Sequence, residues 1–348
     1  MGRLATLTIA FIVALAGITG VAIHRLGTPA RNVMLEPNRP LAMFELALRH
    51  VAFLRESDPI PRPLVLWLGD STIDPFVQDA YPEIIGRRNR GRYSQKAVAI
   101  FGLDLFHYYP LLGAALPLEP QLVVLIANPR LFDADRDPQR FQLMSSLIPL
   151  AELPRAALLP LAARGLTVPR LLLNRTLESP NVRDGYATVE GIRVLFREAS
   201  FWEPLGKPTR WGRALAEART LEQYARPISP RAPVVRMLEA SVDLARRHGA
   251  RVLVIVSPIP YERMAAADLY EPEAYDRKIA ILRHATRRAG GQLLDLHRTL
   301  AEDEFRDFFG HYTEAGAQHL ARIVEPHVLR LARVPAARVP SPAGRRAR

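Results

Sequence analysis

The 348-residue sequence contains no cysteine, which excludes disulfide bonds, thiolate metal sites and a cysteine nucleophile. It has no glycine-rich phosphate loop and no histidine–carboxylate cluster with metal-ligand spacing, so we predict no cofactor, neither a metal nor a nucleotide. Lysine is scarce, because all but three of the 47 basic residues are arginine. The net charge of +12 comes with scattered arginines and no nucleic-acid motif. We therefore predict a solvated basic surface and no nucleic-acid partner.

Charge is also missing from the first part of the chain, where residues 4–23 are almost wholly apolar. Twenty such residues suffice to cross a bilayer as a helix. The apolar stretch is longer than the core of most signal peptides, and no small-residue cleavage site lies beside it. We predict an uncleaved N-terminal transmembrane helix within residues 1–27, with a cleaved signal peptide as the alternative.

The remaining chain predicts an α/β domain that is divided by an insertion. Short apolar runs alternate with amphipathic stretches over 62–130 and again over 232–334, which is typical of a parallel sheet with helices on both faces. Residues 28–61 form a linker and a helix, and the Pro- and Arg-rich residues 335–348 form a disordered tail. Residues 131–231 hold many prolines and break the alternation, so we interpret them as an inserted region of helices and loops.

The first predicted strand ends in Gly69-Asp70-Ser71, and Asp74-Pro75 follows as a helix start. Ser71 then lies on the turn between a strand and a helix. Ligands of open α/β sheets bind at that edge. A serine held there is a candidate nucleophile if a base and an oxyanion hole are near. Asp70 is expected to stabilise the turn.

Two later segments supply candidates for those groups. Asn128 ends the predicted strand 122–127, and His311 lies in the sequence Asp307-Phe308-Phe309-Gly310-His311, just before a predicted helix that Thr313 caps. The loop that carries His311 follows the last predicted strand, so it can reach the sheet edge that carries Ser71. His297, which directly follows that strand, is the alternative base.

The order of these segments resembles the SGNH (GDSL-type) hydrolase family. That family has a serine in an N-terminal Gly-Asp-Ser block, then a glycine, then an asparagine, and a C-terminal Asp…His block. The resemblance covers roughly residues 62–130 and 233–333 and implies a three-layer α/β sandwich with a flavodoxin-like sheet. It implies Ser71 as nucleophile, His311 as base, and an oxyanion hole made by the Ser71 and Gly102 backbone N–H groups and the Asn128 side chain.

The acid of the implied triad departs from the family pattern. The family usually places aspartate three residues before the histidine, where this chain has Phe308, and Asp307 lies four residues before His311. Asp307 is our predicted acid. The sequence leaves open a dyad without a carboxylate and the use of Asp295 instead.

The resemblance implies a serine esterase or O-acyltransferase that acts on acyl esters, acetyl above all, of cell-envelope glycans. A membrane anchor would hold the catalytic domain outside the cytoplasm, beside such polymers and beside any membrane acyltransferase partner. A lipid esterase or thioesterase is a further option. The alternative from another class is a non-catalytic, membrane-anchored binding or assembly protein with a decayed hydrolase fold. The displaced Asp307 and the long irregular insertion 131–231 motivate it.

Overall fold

The computed structural model describes residues 47, 50–56, 60–74, 80–99, 105–132 and 210–333. The predicted anchor and tail lie outside these residues, as do Gly102 and most of the insertion. Among the described residues, no helix is both long enough and apolar enough to span a membrane.

Five parallel strands form one sheet in the order β2-β1-β3-β4-β5. The strands are β1 Leu64–Gly69, β2 Ser94–Ala99, β3 Leu122–Ala127, β4 Arg251–Val256 and β5 Gln292–Asp295. The helices are α1 Tyr81–Arg88, α2 Leu105–Ala115, α3 Arg210–Ala225, α4 Pro233–Arg247, α5 Tyr261–Ala266, α6 Pro272–Arg288 and α7 Glu314–Leu331. Single 3₁₀ turns follow at Leu116–Leu118, Pro129–Leu131 and Glu302–Glu304, and residues 50–56 are also helical.

Each buried strand sends alternate side chains to two separate hydrophobic layers. In β1, Leu66 and Leu68 pack in the layer that includes residues of α2, α4 and α6. Val65 and Trp67 point to the opposite layer, which includes residues of α1 and α7. Because neighbouring side chains of a strand face opposite ways, a strand buried on both faces needs an unbroken apolar run. The result is the predicted three-layer α/β arrangement with a mainly parallel sheet.

Helix α1 has a proline in its first turn. The sequence predicts a helix over 76–86 that is interrupted or kinked near Pro82; residues 76–79 lie outside the described residues, and α1 starts at Tyr81. A proline in the first turn costs no hydrogen bond, because the first N–H groups of a helix have no partner within it. Pro82 therefore helps to start this helix.

A buried lysine ties α6 to the end of α3. Lys278 is 3% exposed, its Nζ donates a hydrogen bond of 2.6 Å to the carbonyl oxygen of Tyr224, and it lies 4.5 Å from the centre of the Tyr275 ring. Burial lowers the pKa of Lys278 to about 7. Tyr224 is in the last turn of α3, where the helix dipole favours a cation.

We expect this lysine to give the folded protein a measurable pH dependence. Between pH 7 and about 10 the unfolded chain keeps the Lys278 proton and the folded chain releases it, so stability rises with pH. Lys278→Met removes this effect. Urea unfolding should show that the free energy of unfolding of wild type, minus that of Lys278→Met, increases from pH 7 to 9 by up to about 1.4 kcal/mol per pH unit. A pH-independent difference would show that Lys278 does not titrate in this range.

Candidate active site

Ser71 and Asn128 follow two adjacent strands at the point where the strand order of the sheet reverses. Strand β1 lies between β2 and β3, so the chain leaves β1 to one side and returns on the other. In open α/β sheets the crevice at such a point is the usual ligand site. Ser71 follows β1, and Asn128 follows β3.

The Ser71 turn is held by Asp70, whose side chain is buried. Asp70 Oδ1 accepts hydrogen bonds from the Thr72 backbone N–H, at 3.0 Å, and from Thr72 Oγ1, at 2.5 Å. The backbone N–H of Ile73 donates to the Asp70 carbonyl oxygen at 3.2 Å. An Asp that bonds the backbone two residues later stabilises a tight turn, as the sequence predicted for Asp70.

The second carboxylate oxygen of Asp70 orients Asn128. Asn128 Nδ2 donates to Asp70 Oδ2 at 2.7 Å, and Asn128 Oδ1 accepts from the Arg130 backbone N–H at 3.1 Å. An amide nitrogen carries two hydrogens, and the bond to Asp70 uses one of them. The turns after β1 and β3 are thus joined by one buried carboxylate.

His311 lies on a loop that closes back on itself before α7. The loop begins and ends at an antiparallel bridge between Phe305 and Tyr312, and the Arg306 backbone N–H donates to the His311 carbonyl oxygen at 2.7 Å. Thr313 then caps α7 by accepting the Gly316 backbone N–H at 3.3 Å. The predicted cap is thereby confirmed, and it fixes the end of the loop that carries His311.

The four-residue spacing of Asp307 and His311 is accommodated inside this loop. Asp307 Oδ1 accepts the backbone N–H groups of Phe309 at 2.9 Å and His311 at 3.2 Å. Gly310 adopts φ +88°, a conformation that glycine reaches without steric cost. With this backbone, Asp307 Oδ2 lies 2.7 Å from His311 Nδ1 despite the extra residue between them.

Ser71, His311 and Asp307 form one hydrogen-bonded series. His311 Nε2 lies 3.0 Å from Ser71 Oγ, within the range for a nucleophile and its base. Ser71 is fully buried and His311 is 9% exposed, so bulk water does not compete for these bonds. The structure brings together the three residues predicted as nucleophile, base and acid.

Asp307 is electrostatically suited to hold His311. Burial raises the pKa of Asp307, but the hydrogen bond and charge of His311, with the backbone N–H groups of His311 and Phe309, outweigh this effect and leave the pKa below its usual value. Asp307 is therefore ionised at neutral pH. An ionised carboxylate beside Nδ1 favours the tautomer in which Nε2 can accept a proton.

The alternative base His297 and the alternative acid Asp295 form a separate pair at the end of β5. His297 Nδ1 lies 2.7 Å from Asp295 Oδ1, His297 Nε2 lies 3.4 Å from the Tyr270 hydroxyl, and the His297 ring stacks on Tyr275. Asp295 is thus paired with His297, while Asp307 is paired with His311. His311 is therefore paired with Asp307 and not with Asp295, and the role of Asp307 as the acid stays a prediction.

Helix α3, which belongs to the predicted insertion, supports the His311 loop. The Tyr224 hydroxyl donates to the Phe309 carbonyl oxygen at 2.9 Å, and burial raises the pKa of Tyr224, so the hydroxyl keeps its proton. A Cβ at Gly310 would lie 2.7 Å from the same hydroxyl. Tyr224 therefore requires the glycine that the loop also requires for its turn.

Sequence reasoning missed Tyr224 and Arg130. Tyr224 is far along the chain from His311, and no local pattern connects them. Arg130 follows Asn128 by two residues, and its position after a strand end was the signal available. Gly102, the third predicted oxyanion donor, lies outside the described residues, so its role stays a prediction.

Comparisons with known proteins give little beyond this geometry. No protein-family model and no curated protein matches the chain. Among solved structures, the chain is similar to the lipase/acylhydrolase from Enterococcus faecalis, with 11% sequence identity and a TM-score of 0.39. The match covers 79% of this chain and 99% of that one. The site is accordingly interpreted from its own contacts.

Proposed function

We propose that the chain is a serine-dependent esterase or O-acyltransferase that forms an acyl-enzyme on Ser71. The observation that carries the proposal is the continuous series from Ser71 Oγ to His311 Nε2, at 3.0 Å, and from His311 Nδ1 to Asp307 Oδ2, at 2.7 Å. A serine hydroxyl is a weak nucleophile unless such a base removes its proton.

The reaction follows from these contacts. Ser71 Oγ attacks the ester carbonyl carbon while His311 Nε2 takes the hydroxyl proton, and Asp307 stabilises the imidazolium that forms. The carbonyl oxygen becomes an oxyanion, for which the Ser71 backbone N–H and the second Asn128 amide hydrogen are the proposed donors. Collapse expels the alcohol, which takes the proton from His311. Water or an acceptor hydroxyl then attacks the acyl carbon while His311 takes its proton. The bond from this carbon to Ser71 Oγ breaks, and Ser71 Oγ takes the proton back from His311.

The proposed substrate is an acyl ester, acetyl above all, of a cell-envelope glycan. The apolar residues 4–23 are the reason for this choice, because a membrane anchor would hold the site beside such polymers and beside any membrane acyltransferase partner. We propose that the catalytic domain lies outside the cytoplasm. The non-catalytic alternative rested on the displacement of Asp307 and on the long insertion 131–231. The bond between Asp307 and His311 removes the first of these two supports.

Release of 4-nitrophenol from 4-nitrophenyl acetate by the full-length chain in mild detergent tests the proposal. We expect turnover by the wild-type protein at neutral pH, and faster release when a hydroxyl acceptor is added if the enzyme transfers acyl groups. A folded wild-type chain that turns over neither this ester nor an acetylated oligosaccharide would contradict the proposal.

Asn128→Ala is expected to lower kcat about 100-fold with little change in KM, because an oxyanion donor acts chiefly in the transition state. Asp70→Asn should reproduce part of this loss, since an amide at position 70 no longer offers two acceptor oxygens to Asn128 and Thr72. Steady-state kinetics of both variants give the two parameters separately. A rise in KM at unchanged kcat would place Asn128 in ground-state binding.

A further inference from the structure

A buried guanidinium lies near the loop of the candidate active site, and no acidic side chain in the described part of the chain pairs with it. Arg130 is 8% exposed, and its Nε is buried without a hydrogen bond. Among the described residues, none of the ion pairs involves its side chain. Buried charges are costly unless they are paired, and arginine is almost never fully buried alone.

The position of Arg130 is fixed from two sides. Its backbone N–H donates to Asn128 Oδ1 at 3.1 Å, within the 3₁₀ turn Pro129–Leu131 that leaves β3. Its guanidinium carbon lies 5.3 Å from the centre of the Phe309 ring. The Phe309 ring lies in turn 6.4 Å from the His311 ring. The backbone of Arg130 is therefore held beside the proposed oxyanion donor Asn128, and its guanidinium lies near Phe309 on the loop that carries the base.

The neighbouring carboxylates are engaged elsewhere. Asp70 accepts hydrogen bonds from Thr72 and Asn128, and Asp307 accepts from His311 and Phe309. The charges of Asp70, Asp307 and Arg130 all shift the pKa of Tyr224. The three charged groups therefore lie in the same region, around Tyr224. The two anions lower the cost of burying the cation, but neither is bonded to its guanidinium.

We propose that Arg130 binds an anionic group on the alcohol part of the ester, so that the substrate is an acylated acidic glycan. This inference rests on the proposed function and specifies its substrate class. A guanidinium presents a planar fork of N–H donors that matches a carboxylate or a phosphate. A carboxylate or phosphate near the acyl group would supply the partner that Arg130 lacks among the described residues. The net charge of +12 would also attract a polyanionic substrate.

Matched aryl acetates test this inference with the full-length protein. The probes are 4-acetoxybenzoate, 4-acetoxyphenyl phosphate and the neutral methyl 4-acetoxybenzoate, and the variants are Arg130→Gln and Arg130→Lys. The ratio of kcat/KM for each anionic ester to that for the neutral ester is compared between proteins, which cancels differences in leaving-group reactivity. We expect Arg130→Gln to lower this ratio about 10- to 100-fold and Arg130→Lys to lower it less. The anion that loses more identifies the preferred group.

Arg277→Gln is the control for net charge. Arg277 lies on α6 and its side chain is 68% exposed, paired with Glu273. The Arg277→Gln substitution should leave the ratio of kcat/KM for anionic to neutral esters unchanged. Thermal unfolding followed by circular dichroism shows whether each variant folds. An unchanged ratio in a folded Arg130→Gln protein would overturn the inference, and so would an equal loss on neutral and anionic esters, which would assign Arg130 to the oxyanion or to the fold.

A binding measurement tests this inference independently of the proposed function. Calorimetry with 4-acetoxybenzoate on Ser71→Ala, and on the same variant with Arg130→Gln, requires no turnover. Binding that depends on Arg130 supports the anion site even if the wild-type chain hydrolyses no ester. Turnover that depends on Ser71, with equal binding in both variants, supports the esterase and overturns the anion site.

Discussion

Ser71→Ala is expected to lower the turnover of aryl esters by at least about 10³-fold, and His311→Ala should lower it by a similar factor. Each variant removes one half of the bond between Ser71 Oγ and His311 Nε2. The two residues act as one unit, because the hydroxyl attacks only when the imidazole takes its proton.

The double variant distinguishes this unit from two independent contributions. Ser71→Ala combined with His311→Ala should be no slower than either single variant within a few-fold, since the base has nothing to activate once the nucleophile is gone. Initial rates with 4-nitrophenyl acetate measure all three. Losses that multiply in the double variant would mean that Ser71 and His311 do not work in one step.

Asp307→Asn is the second prediction with a large effect. An amide at position 307 still bonds Nδ1 but favours the wrong tautomer and does not stabilise an imidazolium, so kcat should fall about 10²- to 10⁴-fold. Asparagine is nearly the same size as aspartate, and its side-chain oxygen can still accept the backbone N–H groups of Phe309 and His311.

Asp295→Asn is the matched control for that experiment. Asp295 also bonds a histidine Nδ1 at 2.7 Å. Although burial raises its pKa, the hydrogen bond and charge of His297 outweigh this and leave the pKa below its usual value, as for Asp307. Both substitutions remove one partly buried charge from an Asp–His pair, but only Asp307 is linked to Ser71. We expect Asp295→Asn to keep kcat within about 3-fold. A similar loss in both variants would mean that the effect arises from the fold.

The central strands could be predicted because short apolar runs between turn residues are typical of buried strands. Strands β3 and β4 have the bounds 122–127 and 251–256 that their apolar runs predict. The six residues of β3 and the five residues of β4 after Arg251 are buried, which fits central parallel strands. The sequence predicts β2 over 96–101, whereas the strand starts two residues earlier, at Ser94; residues 100 and 101 lie outside the described residues. Its sequence, Ser94 to Ala99, is more polar because the strand lies at the edge of the sheet.

The triad residues could be named from their order along the chain, but the fit of Asp307 could not. The distance from Asp307 to His311 depends on the φ of Gly310 and on two backbone bonds to the Asp307 side chain. The number of residues between an aspartate and a histidine predicts neither the φ of Gly310 nor these two hydrogen bonds. The burial of Arg130 without an ion-pair partner in the described ranges is likewise a property of the folded chain, because a sequence does not show which charges are paired.

Reaction with a fluorophosphonate probe, followed by peptide mass spectrometry, tests the central claim most directly. The probe forms a stable bond only with a serine that a neighbouring base has activated. We expect the full-length folded protein to carry the adduct on Ser71, and we expect no adduct in His311→Ala. An adduct on a different serine, or a folded wild-type protein that does not react, would contradict the assignment of Ser71 as the nucleophile.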